Sequence, residues 1–276
     1  MIPKSSIILA LFVACLSFFS CRKDNSTFIT DQSTNSDCDT TVKRIKKIQS
    51  TTSESDFLEA EWNTDGTVKK INMNLIFSEN RKADYVYENG RIIQVILNNN
   101  INDPETDTAV FNYNTEGNVD SIYLKVGKDD YNSNIKLTYT EGKLKKLVGY
   151  MGTEIYYYYD IETDANQNIT KATEYQKDGT SFVKENTYTF TYDSKKNPLK
   201  KLGVYMLYLD DAHNVFQLWG SNNYIDQRYE GHTGIPVDVT TGNKYKYNDH
   251  CYPVSYMQTV MGMVILNEDA YSYTYY

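Results

Sequence analysis

From Val42 onward the chain alternates apolar and polar residues with a period of two, as in Ile135-Lys136-Leu137-Thr138-Tyr139. Successive side chains of a β-strand point to opposite faces, so the pattern predicts strands with one apolar side and one polar side. The runs are broken by Asp65-Gly66, Asn89-Gly90, Glu116-Gly117 and Glu141-Gly142, whose glycines lie 24, 27 and 25 residues apart. Hairpin loops need positive φ, which Gly and Asn adopt at least cost, so each pair predicts a strand-to-strand bend. Aromatic residues alternate before each turn (Tyr85-Val86-Tyr87) and aliphatic ones after it (Ile92-Ile93). Degenerate copies follow at Tyr157 to Ile169, Phe190 to Leu199 and Tyr245 to Val254.

A period of this length marks a repeated supersecondary unit that cannot shield its apolar side alone. The nearest helix candidate, Asn214 to Leu218, is one turn at most, and no amphipathic run of three turns is present. The fold expected is therefore all-β. Consecutive antiparallel hairpins, a dozen or more strands, form a strongly twisted sheet rolled into an open or closed barrel, because closure removes exposed edges.

Two stretches depart from the pattern. Residues 1–20 carry one charge, Lys4, then the apolar run Ile7 to Ala14 and the small-residue exit Ser20-Cys21. This is the layout of an export signal, too short to span a membrane comfortably. Ser20-Cys21 followed by Arg22-Lys23-Asp24-Asn25 resembles a lipobox, although Phe18 stands where that pattern favours Leu. Cys21 is thus the expected lipid acceptor, with Cys15 as a rival, and acyl chains would anchor the protein in the cell envelope as an outer-membrane lipoprotein. Residues 21–40 are polar and form a tether ahead of the domain at 41–276. Between Gly203 and Gly242 the hairpin pattern fades, which predicts an insertion.

Removing residues 1–20 takes Lys4 from the 28 basic residues and leaves 36 acidic ones, a net charge of 27 − 36 = −9. Such a surface disfavours nucleic acid and anionic lipid as partners. Cys38 and Cys251 remain in a compartment where disulfides persist. A bridge between them would close most of the domain into one loop; two inert thiols are the alternative. A membrane-spanning barrel is the competing architecture, since the chain ends Tyr271-Ser272-Tyr273-Thr274-Tyr275-Tyr276, but lysines and acids occur throughout the predicted strands.

The Tyr-x-Tyr-(Asp/Glu/Asn) copies resemble the tyrosine–aspartate repeats of Rhs-type proteins. The chain is more similar still to a family of Bacteroidota lipoproteins of unknown function. The residues that carry this likeness are the lipobox, the polar tether, Cys38 before Arg44-Ile45-Lys46-Lys47-Ile48, and Tyr192-Asp193-Ser194-Lys195-Lys196-Asn197-Pro198. The resemblance spans roughly residues 38–276 and implies a porin-like or barrel-like fold, but no activity.

Catalytic patterns are sparse. His213, His232 and His250 have no partner at zinc-site spacing, and neither a nucleophile elbow nor a phosphate loop is present. Asp164 to Asn168 is similar to the start of a calcium loop, but Ile169 replaces its glycine and Tyr175 its closing glutamate, so a solvated turn explains it better. No cofactor or metal is implied. The insertion gathers Asp210, His213, Trp219, Tyr224 and Arg228, and long connections on rigid scaffolds often carry binding. Trp219 with Tyr224 would stack on a sugar ring; a Trp219 that plugs the core is the competing reading. The function expected is a non-enzymatic, membrane-anchored binding module for a glycan or protein ligand. A structural role in the envelope and a hydrolase using Asp129-Asp130 or Asp210-Asp211 are the alternatives.

Overall fold

The computed structural model describes residues 43–53, 56–75, 78–98, 106–126, 131–200, 202–207, 212–233, 237–261 and 266–276. The signal segment 1–20, Cys21, the tether and Cys38 lie outside the described residues. Sixteen strands follow: β1 (Ile45–Ser50), β2 (Phe57–Trp62), β3 (Val68–Leu75), β4 (Ser78–Glu88), β5 (Arg91–Asn98), β6 (Thr106–Tyr113), β7 (Val119–Val126), β8 (Tyr131–Thr140), β9 (Lys143–Met151), β10 (Glu154–Thr163), β11 (Ile169–Asp178), β12 (Ser181–Lys196), β13 (Asn222–Gly231), β14 (Asp238–Tyr247), β15 (Pro253–Met261) and β16 (Leu266–Tyr275). Each pairs antiparallel with its neighbours in sequence, and β16 returns to β1 through Ile48 opposite Tyr273. The sheet is a closed barrel in chain order.

The repeat places its turns at one end of the barrel, in two forms. Asn89-Gly90 and Glu141-Gly142 have positive φ at both residues (50° and 76°, 52° and 70°), as a two-residue hairpin bend demands. The longer loops begin with Asn or Asp. Asn114 Oδ1 accepts from the backbone N–H of Glu116 and Asn118, Asp164 Oδ1 from Asn166 and Asn168, and Asn248 Oδ1 from His250 and Tyr252. The carboxylate of Asp164 is therefore committed to its own turn. The left-handed position of these loops is Gly66 or Gly117 in the regular copies and Gln167 (φ 65°) or Cys251 (φ 64°) in the degenerate ones.

A left-handed backbone costs a side-chain-bearing residue about 1–2 kcal/mol, while glycine costs roughly 0.5–1 kcal/mol in unfolded-state entropy. Gln167→Gly is accordingly expected to raise stability by about 0.5 kcal/mol. A urea midpoint that falls on this substitution would show that Gln167 makes a contact its φ does not reveal.

In five copies an aromatic residue near the end of its strand points inward and donates to a backbone carbonyl on the preceding strand. Trp62 reaches Ile45 (2.6 Å), Tyr87 Val68 (2.7 Å), Tyr113 Ile92 (2.6 Å), Tyr192 Ile169 (2.8 Å) and Tyr275 Pro253 (2.7 Å). In these copies the aromatic residue is thus a staple that ties one hairpin to the one before it. A buried phenol also needs such a partner, because an unpaired hydroxyl is costly.

Alternation assigns the two faces of the wall. On β6, Ala109 and Phe111 are buried while Val110 and Asn112 are exposed; on β10, Tyr159 and Ile161 alternate with Asp160 and Glu162. The inward residues join one apolar core that includes Ile71, Val95, Ile122 and Leu147. Ion pairs occupy the outside, among them Lys82–Asp84 (3.0 Å), Lys146–Asp160 (3.5 Å), Lys171–Glu162 (3.0 Å) and Arg228–Asp238 (2.9 Å). Such pairs add little stability, but they fix the polarity: apolar inside, charged outside.

Sixteen strands enclose more space than wall side chains alone can fill. The connection between Lys196 and Asn222 folds into that space. It contains a 3-10 turn (Gly203–Met206) and helix α1 (Ala212–Trp219), and Leu199, Leu202, Met206, Val215 and Phe216 join the barrel core. Phe216 is fully buried and sets its ring edge against Tyr159, with centroids 5.1 Å apart. Tyr205 packs edge-on against Phe111 at 5.3 Å, and its hydroxyl meets that of Tyr113 at 3.4 Å. The helix exceeds the single turn expected, because burial of one face supports two turns that would not persist in water. The connection is also shorter than the 203–242 stretch expected: strand structure resumes at Asn222.

Candidate functional site

The Tyr192 to Pro198 motif launches this plug and clasps it. Asn197 donates its Nδ2 to the carbonyls of Leu218 (3.1 Å) and Gly220 (3.0 Å), and its Oδ1 accepts from the Leu199 N–H (2.9 Å). Both ends of the plug therefore close on one side chain. Gly220 lies so near Asn168 that a Cβ would sit 2.7 Å from the Asn168 Cα. Asn168 in turn exchanges hydrogen bonds with Asn222 (3.0 and 3.1 Å).

Asp193 lies beside the clasp. Its carboxylate accepts from the N–H groups of Lys195 (2.9 Å) and Asn223 (3.2 Å), from Asn223 Nδ2 and from the Tyr247 hydroxyl. Burial pushes the Asp193 carboxyl above the usual range, and these donors hold it back in part. Burial also raises Tyr247, with the adjacent Asp193 charge adding to the effect.

Between the plug and the wall is a chamber of about 80 Å3. Asn197, Leu199 and Leu218 line it from the plug, and Ile48, Asn223, Tyr224, Tyr245, Tyr256 and Tyr273 from β1 and β13–β16. Register explains the concentration of rings. Tyr245 stands opposite Tyr256 and Tyr256 opposite Tyr271, so the three stack across adjacent strands with centroids 5.4 and 4.7 Å apart.

The Tyr224 hydroxyl accepts from Gln258 Nε2 at 3.0 Å. Desolvation raises Tyr224 to about 12 and carries Tyr245 and Tyr273 well above an ordinary phenol. These hydroxyls stay protonated at neutral pH and present donors. Neither the Tyr245 nor the Tyr273 hydroxyl has a hydrogen-bond partner among the described residues.

The described members of the expected site, Trp219, Tyr224 and Arg228, do not converge. Tyr224 is buried and lines the chamber. Trp219 ends α1 half-buried against the core, nearer to the plugging role than to an exposed sugar platform. Arg228 sits on the outer face, paired with Asp238 and Glu230. A bulge between the Tyr224 and Asp226 pairings shifts the register of β13, so Tyr224 and Arg228 take opposite sides despite their even spacing. Asp210, the side chain of His213, Asp129-Asp130 and Asp211 lie outside the described residues. His232 meets Thr187 Oγ1 at 2.9 Å. Cys251 is buried and disulfide-bonded, and its partner lies outside the described residues.

A second polar cluster interrupts the apolar interior. Glu174 is buried and accepts from Asn186 Nδ2 (2.7 Å), Gln176 Nε2 (3.1 Å) and the Tyr188 hydroxyl (3.4 Å). Among the described residues no group of three or more His, Cys, Asp or Glu could hold a metal ion.

Closure in chain order with a filled interior can be set against known folds. The barrel is similar in fold to a porin-like protein. That protein, from Bacteroides uniformis ATCC 8492, shares 12% identity and a TM-score of 0.53 over 84% of this chain and 98% of its own. A porin-like protein from Bacteroides vulgatus ATCC 8482 shares 13% identity, with a TM-score of 0.41 over 85% of this chain and 99% of its own. No protein-family model matches the sequence, and no curated protein matches it. At this identity the likeness shows the fold alone.

Sequence reasoning missed Asp193, Asn197 and Asn168, the side chains that hold the plug. Their signal was present in Tyr192 to Pro198, whose Asp and Asn are spaced to cap consecutive backbone turns.

Proposed function

We propose that this chain is a non-enzymatic envelope lipoprotein whose barrel stands in water beside the membrane as a sealed binding module, and does not pass through the membrane as a pore. The observation that carries this reading is polarity. Charged pairs cover the outside of β2–β4, β9–β11 and β13–β14, where a membrane wall would need an apolar band. The plug then fills the lumen that a channel would keep open. The porin-like neighbour and the Ser20-Cys21 lipobox support an envelope location, with acyl chains on Cys21 as the membrane contact. A glycan or protein is the ligand class we assign.

Two measurements test this reading separately. Cys21→Ser is expected to shift the protein from the membrane fraction to the soluble fraction; retention in the membrane would reject the lipid anchor. The purified protein added to planar bilayers is expected to give no conductance steps, and reproducible steps would reject the sealed barrel.

A further inference from the structure

We propose that the outer wall across β8–β12 binds an acidic polysaccharide, a chain of carboxylate-bearing sugars laid across the strands. The proposal deepens the reading of the barrel as a binding module standing in water, and rests on it.

Register supplies the site. Lys136 stands opposite Val148, Val148 opposite Tyr158, Tyr158 opposite Tyr175, and Tyr175 opposite Lys184. These five residues form one row perpendicular to the strands. Tyr158 alternates with the buried Tyr159, so the row lies on the outside of the wall. Four strand spacings, roughly 19 Å, separate the two lysines. One step toward the bends at Gly152 and Gly179, Tyr156 (50% exposed) and Phe182 (37% exposed) flank the row.

The centre of the row is fixed before any ligand arrives. Tyr158 and Tyr175 stack with centroids 4.7 Å apart, Lys146 Nζ lies 3.9 Å from the Tyr158 centroid, and Phe182 meets Tyr158 edge-on at 5.2 Å. Val148 faces outward in this row yet is only 8% exposed, because its neighbours cover it. Rings already held in place lose little rotamer freedom on binding. Tyr156 and Phe182 keep the most exposed area and are the contact rings.

Charge and area identify the occupant. The chain carries a net charge of −8, yet the row ends in two exposed lysines that have no ion pair among the described residues. The nearby acids are already engaged: Asp160 with Lys146, Glu154 with Lys177, and Glu185 with the Thr233 hydroxyl. Free ammonium groups at the two ends of an aromatic row complement a polymer with carboxylates at intervals and C–H surfaces between them. Taking about 200 Å2 for a whole aromatic side chain, the exposed parts of the four rings come to roughly 200–300 Å2. A stable protein partner covers about 800 Å2 on each side. The row therefore suits a slender chain better than a folded surface.

Isothermal titration of the purified full chain with polygalacturonate tests the proposal, with dextran as the neutral sugar control and polyglutamate as the polyanion without sugar rings. A dissociation constant of micromolar order is expected for polygalacturonate, at least tenfold weaker binding for both controls, and weakening as salt is added. Lys136→Gln together with Lys184→Gln is expected to lower the affinity at least tenfold and to flatten its salt dependence. Tyr156→Ala together with Phe182→Ala is expected to lower it to the same extent, and because all four side chains are exposed, one pair of variants preserves the test if the other misfolds. Val110→Ala with Tyr123→Ala, an exposed pair on β6 and β7, is expected to bind as the native chain does. Absence of polygalacturonate binding, equal binding of polyglutamate or dextran, or an affinity unchanged by both row variants would overturn the proposal. Any of these results, with the planar bilayers still silent, would remove this site and leave the sealed barrel standing.

Discussion

Reduction of the Cys251 disulfide is expected to lower the unfolding free energy by about 5 kcal/mol. Cys251 occupies the left-handed position of the β14–β15 turn and is buried. Cys38 is the partner we propose. β1 begins at the barrel end where this turn lies, because Ile45 pairs with Tyr275 and Tyr275 donates to Pro253, two residues past Cys251. A bridge from Cys38 to Cys251 would close most of the domain into one loop. In the chain-entropy picture a loop of about 100 residues contributes roughly 4.7 kcal/mol, and longer loops only slightly more. Urea unfolding with and without reductant measures the loss, and Cys251→Ser is expected to match the reduced protein. A non-reducing peptide map that pairs Cys251 with Cys15 or Cys21 would reject the assignment to Cys38. A loss below about 1 kcal/mol would show that the sheet alone already restrains the unfolded chain.

Phe216→Ala is expected to cost about 3–5 kcal/mol, the range for removing a fully buried aromatic side chain. Phe216 is 0% exposed, and its contact with Tyr159 joins helix to wall. The consequence extends beyond the cavity. Among the described side chains of α1 Val215 is the one other bulky group that is fully buried, so loss of this ring would loosen the helix and admit water to the lumen, while the hairpin ladder persists. The expected signature is a lower thermal midpoint with binding of a hydrophobic dye and nearly unchanged far-ultraviolet dichroism. An Ala variant as stable as the native chain, with no dye binding, would mean that the plug is not what fills the barrel.

How much of this was legible in the sequence depends on the range of the interactions concerned. The bends at Gly66, Gly90, Gly117 and Gly142 follow from local backbone chemistry, and all four have positive φ. The apolar side of each strand follows from period two. Closure does not, because it depends on β1 meeting β16 across more than two hundred residues, which no local pattern encodes. The plug was misread for a different reason. Ala212, Val215, Phe216 and Trp219 follow the i, i+3, i+4, i+7 spacing of a helix face, but eight residues are too few to stand out from strand alternation. Its Asp, His and Asn content then suggested an exposed binding segment, whereas the buried apolar side chains decide where it goes. Tyr224 and Arg228 fall in one expected insertion, but both stand on β13, where a bulge sets them on opposite sides of the wall.

The central claim is that the wall is charged outside and sealed inside. Sedimentation velocity of the protein carrying Cys21→Ser, in buffer without detergent, tests it most directly. One non-aggregating species is expected at every concentration tried. A protein that stays dispersed only when micelles cover its outer surface would contradict it.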